Sequence, residues 1–163
     1  MHIIIKNKKL SIDDYKVKCA IGKRGIGIKK KEGDLITPKG TFKIRSILYR
    51  KDRIKNLKSK IKKIIIKKNM GWCDDPKSSQ YNKIIKFPFN YGAEKLHKKD
   101  HTYDIVVALN YNFKPIKKNK GSAIYIHIAK KKFQNTAGCI AIEKKYLKKI
   151  VKIIDNKTVI LIN

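Results

Sequence analysis

Short apolar runs separated by turn residues constrain the fold of this chain more than any other feature. The longest run, Ile105–Leu109, has five residues, and Gly, Asn and Asp stand between the runs. Runs of this length are typical of β-strands in a sandwich or barrel. Eight segments fit the pattern: residues 2–6, 16–21, 41–49, 61–67, 104–110, 123–128, 139–142 and 158–162. We therefore predict an all-β fold with minor α, arranged as a β-sandwich or barrel.

One segment near the C-terminus has the period of a helix instead. Apolar residues recur there at positions i, i+3, i+4 and i+7, at Leu147, Ile150, Val151 and Ile154. Lysines occupy most of the positions off this stripe. The spacing predicts one amphipathic helix that packs on the sheet and precedes the last strand.

Length and charge bound the function. A chain of 163 residues predicts a single domain spanning 1–163. The 42 basic against 12 acidic residues give a formal charge of +30, which attracts anionic polymers. Only four basic residues are Arg, the usual reader of bases, so we expect no specific nucleic-acid reading. The most basic stretch, residues 50–68, lacks an aromatic to stack a base, and we interpret it as a solvated loop running into a strand.

Neither a membrane span nor a secretory signal is visible in the sequence. No apolar run approaches the ~20 residues that a spanning helix needs, and no basic region followed by an apolar core opens the chain. The three cysteines are an odd number, which argues against a disulfide framework and predicts at least one free thiol. Cys19, in a predicted strand, is expected to be a buried apolar residue.

Cys139 and His127 are the residues most suited to covalent chemistry. Gly138 precedes the cysteine, which allows a tight turn in which successive N–H groups face one oxygen. His127 ends a predicted strand twelve residues earlier, on the face shared with Tyr125. If the two strands are neighbours, the imidazole can take the thiol proton. Residue types alone favour the alternative, a packing role for both.

The neighbouring sequence changes this balance. The segment TAGCI at residues 136–140, after SAIYIH at 122–127, resembles the His/Cys signature of the L,D-transpeptidase catalytic domain family. Residues 32–42, EGDLITPKGTF, are similar to the entrance motif of that family. GWCDDP at 71–76, YN at 81–82 and YDIVV at 103–107 resemble a compact branch of it. The resemblance covers roughly residues 20 to 150, in order.

This resemblance implies a cysteine acyltransferase that works without a metal or organic cofactor. Cys139 is then the nucleophile and His127 the general base, oriented by a main-chain carbonyl. The backbone N–H groups of Ala137, Gly138 and Cys139 are then the oxyanion hole. As substrate-binding residues the same motifs suggest Trp72, Asp75, Tyr81, Asn82 and Thr136.

The resemblance also implies the substrate and the setting. The expected partners are peptidoglycan stem peptides, from which Cys139 releases a terminal D-Ala and keeps a thioester, and carbapenems that acylate the same thiol. The family points to the cell envelope or periplasm. Because no signal peptide is visible, a cytoplasmic location is the alternative.

Several alternatives stay open. Many family members carry Arg two residues after the cysteine, where this chain has Ala141. The same Cys and His also suit an L,D-carboxypeptidase or amide hydrolase, and the charge suits a basic polymer-binding module without activity. The oligomeric state is not indicated.

Three further groups of residues are predicted to have structural roles. His97 and His101 have the i, i+4 spacing of helical zinc ligands, but Lys98 stands where a metalloprotease pattern needs an acid. Asp74 and Asp75 are adjacent, which on a strand turns their side chains to opposite faces. Cys73 lacks a preceding glycine turn.

Overall fold

A computed structural model describes all 163 residues as fourteen β-strands, one α-helix and one 3-10 turn. The strands are β1 His2–Lys6, β2 Lys9–Ile12, β3 Tyr15–Lys18, β4 Ile26–Gly27, β5 Thr37–Pro38, β6 Gly40–Tyr49, β7 Lys63–Ile65, β8 Met70–Cys73, β9 Ile84–Lys86, β10 Ala93–Lys95, β11 Ile105–Leu109, β12 Tyr125–Ile128, β13 Ile140–Ile142 and β14 Val159–Ile162. Helix α1 spans Lys144–Ile153 and the 3-10 turn spans Lys131–Phe133. No helix is long and apolar enough to cross a membrane.

Nine strands form one large sheet that is nearly closed. Its order is β13, β12, β11, β6, β14, β1, β2, β3, and β7 pairs with β6. Beyond β3 the chain returns to the far edge, where Ala20 and Ala141 exchange N–H to carbonyl hydrogen bonds of 2.8 and 2.9 Å. These bonds join the two edges of the sheet, which confirms the predicted all-β, barrel-like architecture.

The sheet is buried on both of its faces around β11 and β12, and period-two alternation divides their side chains between two clusters. Ile126 and Ile128 of β12 belong to a 26-residue core, on which α1 packs the predicted stripe of Leu147, Ile150 and Val151. Tyr125 belongs to an eight-residue cluster on the other face. This second cluster lies under the functional site.

The sequence missed the smallest elements. Strand β2 has only four residues, and its hairpin with β1 turns through Asn7 and Lys8, both at positive φ, instead of the usual Asn-Gly pair. Strands β8, β9 and β10 form a separate three-stranded sheet, and β4 and β5 pair over two residues each. Such short runs carry too few residues to show alternation.

The basic stretch at residues 50–68 is a loop that runs into β7, but it is not simply solvated. Ile54, Leu57 and Ile61 are buried in the larger core, and Arg50 is also buried. The apolar residues fall between the lysines, so the loop covers one end of the core while its charges stay in water.

Asp104 ties this loop to the helix. Its fully buried carboxylate accepts hydrogen bonds from Arg53 at 3.0 Å, from His101 Nδ1 at 2.8 Å and from Lys144 Nζ at 3.0 Å. Burial raises the pKa of Asp104, but the three hydrogen bonds outweigh it and lower the pKa overall. The carboxylate is therefore ionised in the folded protein near neutral pH.

We expect Asp104→Asn to lower the free energy of unfolding by about 3 kcal/mol, because the neutral amide loses charge-assisted bonds in a buried position. Urea unfolding at pH 7 measures the change. The matched control is Asp52→Asn, whose carboxylate also binds an arginine but is 58% exposed, and which should cost far less. Equal losses for the two variants would contradict this role of Asp104.

Candidate active site

Cys139 and His127 are brought together by the pairing of β12 with β13. These strands are parallel, with His127 opposite Ala141, so that Cys139 lies one step before β13 beside Tyr125. The Tyr125 N–H donates to Cys139 Sγ at 3.4 Å, and the thiol lies 3.7 Å from the carbonyl oxygen of Ala123. The expected adjacency of the two strands is thus present. Both side chains line one open cavity of about 430 Å³.

His127 is held by its backbone neighbour and by an aromatic ring. Its Nδ1 lies 3.0 Å from the carbonyl oxygen of Ile128, and the ring of Tyr103 packs edge-on at 5.4 Å between centroids. A carbonyl oxygen only accepts, so Nδ1 carries the proton and Nε2 keeps a free lone pair. Burial lowers the pKa of His127, outweighing the bond to Ile128. The imidazole is therefore a neutral base at pH 7.

The thiol of Cys139 rests in its protonated form. Burial raises the pKa of Cys139 to about 12, and the charge of Glu94 acts in the same direction. The N–H of Tyr125 and the nearby Lys29 and Lys98 lower it only in part. A neutral thiol is a weak nucleophile, so attack by this sulfur needs a base that can take its proton, and His127 lines the same cavity with the lone pair of Nε2 free.

The backbone N–H groups predicted as the oxyanion hole lie in the turn that carries Cys139. Thr136 Oγ1 donates to the carbonyl oxygen of Cys139 at 2.5 Å and accepts the N–H of Gly138 at 3.1 Å. The Gly138 N–H is therefore already used within this turn. The N–H groups of Ala137 and Cys139 donate to no acceptor in the chain and stay free for a ligand oxygen. Two of the three predicted donors are available.

Gly138 is required for this turn on steric grounds. Its φ is +139°, and a Cβ placed there would lie 2.8 Å from the backbone oxygen of Ile36. A side chain at 138 would therefore force the turn away from the loop before β5. Gly138 is therefore needed for its lack of a side chain, since its N–H already donates to Thr136.

The predicted substrate-binding residues separate into two groups. Trp72 and Thr136 line the cavity, whereas Asp75, Tyr81 and Asn82 do not. Asn82 Oδ1 accepts the indole N–H of Trp72 at 3.0 Å and the N–H of Ala123 at 2.9 Å, so it fixes the cavity wall from behind.

The other two residues of that group also lie behind the wall or outside it. The Tyr81 hydroxyl donates to Glu32 at 2.6 Å. Asp75 accepts the N–H groups of Lys77 and Gly92 in a loop outside the cavity. Asp75, Tyr81 and Asn82 therefore lie around the cavity and do not line it.

Sequence reasoning missed most of the charged lining. Three carboxylates line the cavity, those of Glu32, Asp74 and Glu94. Three lysines line it as well: Lys29, Lys98 and Lys130. Glu32 lies within a motif quoted above, but no signal separated these lysines from the many others in so basic a chain.

The remaining candidates lie outside the cavity. Residues 97–101 form bends instead of a helix, so the spacing of His97 and His101 brings them to no common helix face, and His101 instead binds Asp104. Cys73 is buried and does not line the cavity. Cys19 is buried in the larger core, as predicted, and all three cysteines are free thiols.

A family model described as YkuD, L,D-transpeptidase catalytic domain, matches residues 2–162. That range is essentially the whole chain and includes both strands of the site. No curated protein matches the chain.

Proposed function

Because the chain belongs to the YkuD family of L,D-transpeptidase catalytic domains, we propose that it transfers acyl groups between peptidoglycan stem peptides through a thioester on Cys139. The family acts on such peptides and is generally sensitive to β-lactams. The observation that carries the proposal is the placement of Cys139 and neutral His127 on paired strands of one cavity, beside two unused N–H groups. We place the reaction in the cell envelope, where the family typically acts.

The acylation step follows from these groups. The sulfur of Cys139 attacks the carbonyl carbon of the donor peptide while its proton moves to Nε2 of His127. The electron pair of the C=O bond moves to oxygen, and the resulting anion is bound by the N–H groups of Ala137 and Cys139. The C–N bond then breaks, the leaving amine takes the proton from His127, and a thioester remains.

The second step regenerates the thiol. An incoming amine attacks the thioester carbon and gives a proton to His127. The C–S bond breaks, and the sulfur recovers its proton from the imidazole. The product is a new amide, so that one bond is exchanged for another and no cofactor takes part. Water in place of the amine gives hydrolysis by the same route.

The acidic residues of the cavity favour an amine as the acceptor. Glu32 accepts hydrogen bonds from Tyr81 and Ser122, and Glu94 accepts from Tyr103 and Lys98. Asp74 has no basic partner.

Burial raises the pKa of Asp74, and the charges of Glu32 and Glu94 act in the same direction. An acceptor amine that enters as its cation would relieve this repulsion beside Asp74 and would release its extra proton to solvent before it attacks, whereas water brings no charge. Transfer is thus our first candidate, and carboxypeptidase activity is the second.

We expect Asp74→Asn to raise the KM for the acceptor amine about tenfold, because a charge-assisted contact is lost. The acylation rate should change less than threefold, roughly, since Asp74 takes no part in that step. Chromatography of a stem tetrapeptide with and without a D-amino acid acceptor measures both transfer and hydrolysis. The control is Asp75→Asn, which lies outside the cavity. Hydrolysis that is unaffected by acceptor would favour the carboxypeptidase instead.

The charge of +30 also suits a polymer-binding module without activity. Such a module would bind anionic polymers with a steep salt dependence, and binding would not respond to changes at Cys139. Such a module would have no use for a Cys and a His that line one cavity beside free N–H groups. The proposed enzyme instead uses the positive field to approach an anionic cell-wall polymer.

A further inference from the structure

Lys29 is the only buried lysine of the chain and lines the catalytic cavity. Its side chain is 3% exposed. Burial of an ammonium group is costly, and a chain with so many lysines has no need to bury one for solubility. The acylation route described above gives Lys29 no task.

The Lys29 ammonium is fixed in place with one donor unused. Its Nζ donates to Asp34 Oδ1 at 2.6 Å and lies 3.3 Å from the carbonyl oxygen of Ile36. An ammonium group has three N–H donors, so one remains. Burial raises the pKa of Asp34, but Lys29 and the N–H groups of Lys30 and Ile36 lower it to about 2. The partner is therefore a permanent anion at neutral pH.

Two glycines make room for this side chain beside the nucleophile. A Cβ on Gly121 would lie 2.3 Å from Lys29 Cε, so the stem passes over a bare Cα. A Cβ on Gly138 would lie 3.5 Å from Lys29 Nζ. The ammonium thus lies against Gly138, whose two neighbours, Ala137 and Cys139, carry the free N–H groups.

We propose that Lys29 is a catalytic residue whose free N–H stabilises the oxygen anion formed when Cys139 attacks a carbonyl carbon. This role rests on the proposed function. The Lys29 N–H supplies the third donor of the oxyanion hole, because the Gly138 N–H is occupied. No atom is transferred to or from Lys29. The charge acts where negative charge develops, from a side chain that is itself shielded from water. Asp34 is a positioning residue that holds the ammonium in place.

The test compares two reactions of the same thiol. Carbapenem acylation forms an oxygen anion, whereas iodoacetamide alkylation forms none. Lys29→Met should lower the carbapenem acylation rate constant about 10²-fold, and alkylation of Cys139 at the same pH should fall far less. Because the lone Asp34 would be buried without a partner, the double variant Lys29→Met with Asp34→Asn is measured as well. The matched control, Lys30→Met, alters an exposed lysine and should keep wild-type rates.

The alkylation pH profile is recorded for each variant, because Glu94, Lys98 and His127 also face the thiol or its proton acceptor. Equal losses in acylation and alkylation would show a structural effect and overturn the role. A raised KI with an unchanged acylation rate constant would assign Lys29 to binding of the carbapenem carboxylate and would also overturn it. A wild-type acylation rate constant in the double variant would contradict the role of Lys29 and leave the proposed function standing. Failure of the wild-type protein to be acylated at all would contradict the proposed function itself.

Discussion

Cys139→Ala should abolish turnover of stem peptides, with a loss of at least about 10⁴-fold in acyl transfer, because no other thiol lines the cavity. Cys19 and Cys73 are both buried elsewhere and cannot replace it. Chromatographic assay of the tetrapeptide donor with an amine acceptor measures the loss.

The fold should survive this substitution. Cys139 lies at the edge of the second cluster, and its sulfur makes two long hydrogen bonds, with the Tyr125 N–H and the Ala123 carbonyl oxygen. We expect the free energy of unfolding to change by no more than about 1 kcal/mol. Cys73→Ala is the control for loss of a thiol as such and should keep full turnover. Residual transfer by Cys139→Ala above the uncatalysed rate would contradict the role of Cys139.

His127→Gln should lower the acylation rate about 10³-fold at pH 7, because the base that takes the thiol proton is lost. Glutamine is polar and of similar length, so the packing of the cavity wall around residue 127 should change little. With the pKa of Cys139 near 12, only roughly 10⁻⁵ of the thiol is ionised at pH 7 without that base.

The pH dependence of the acylation rate distinguishes wild type from His127→Gln more clearly than the rate at a single pH. The folded pKa of His127 is lowered, so the neutral base persists below its ordinary value and wild-type acylation should decline only below about pH 6.5. Above that pH the wild-type rate should be level. In His127→Gln the rate should follow the thiolate and rise about tenfold per pH unit between pH 7 and 10. Parallel profiles for the two proteins would show that His127 is not the base.

The fold and the reactive pair were predictable because their signals are local. Short apolar runs between turn residues identified β6, β11, β12 and β14, and the stripe that begins at Leu147 identified the helix. The motif around Cys139 placed a cysteine after a glycine turn, and the parallel pairing of β12 and β13 then brings it to the histidine.

The charged lining of the cavity could not be predicted for a different reason. Lys29, Asp74 and Glu94 come from separate loops and strands, and only long-range packing brings them to one cavity. The capture of the Gly138 N–H depends on the rotamer of Thr136, which no sequence pattern encodes. Asn82 was predicted to bind substrate because it lies in a family-like motif, yet its side chain accepts the indole N–H of Trp72 from behind the cavity wall.

The intact mass of the protein after incubation with a carbapenem tests the central claim most directly. We expect one drug adduct per wild-type chain, located on Cys139 by peptide mapping and absent from Cys139→Ala. An adduct on Cys19 or Cys73, or no adduct on freshly reduced protein that still alkylates at Cys139, would contradict it.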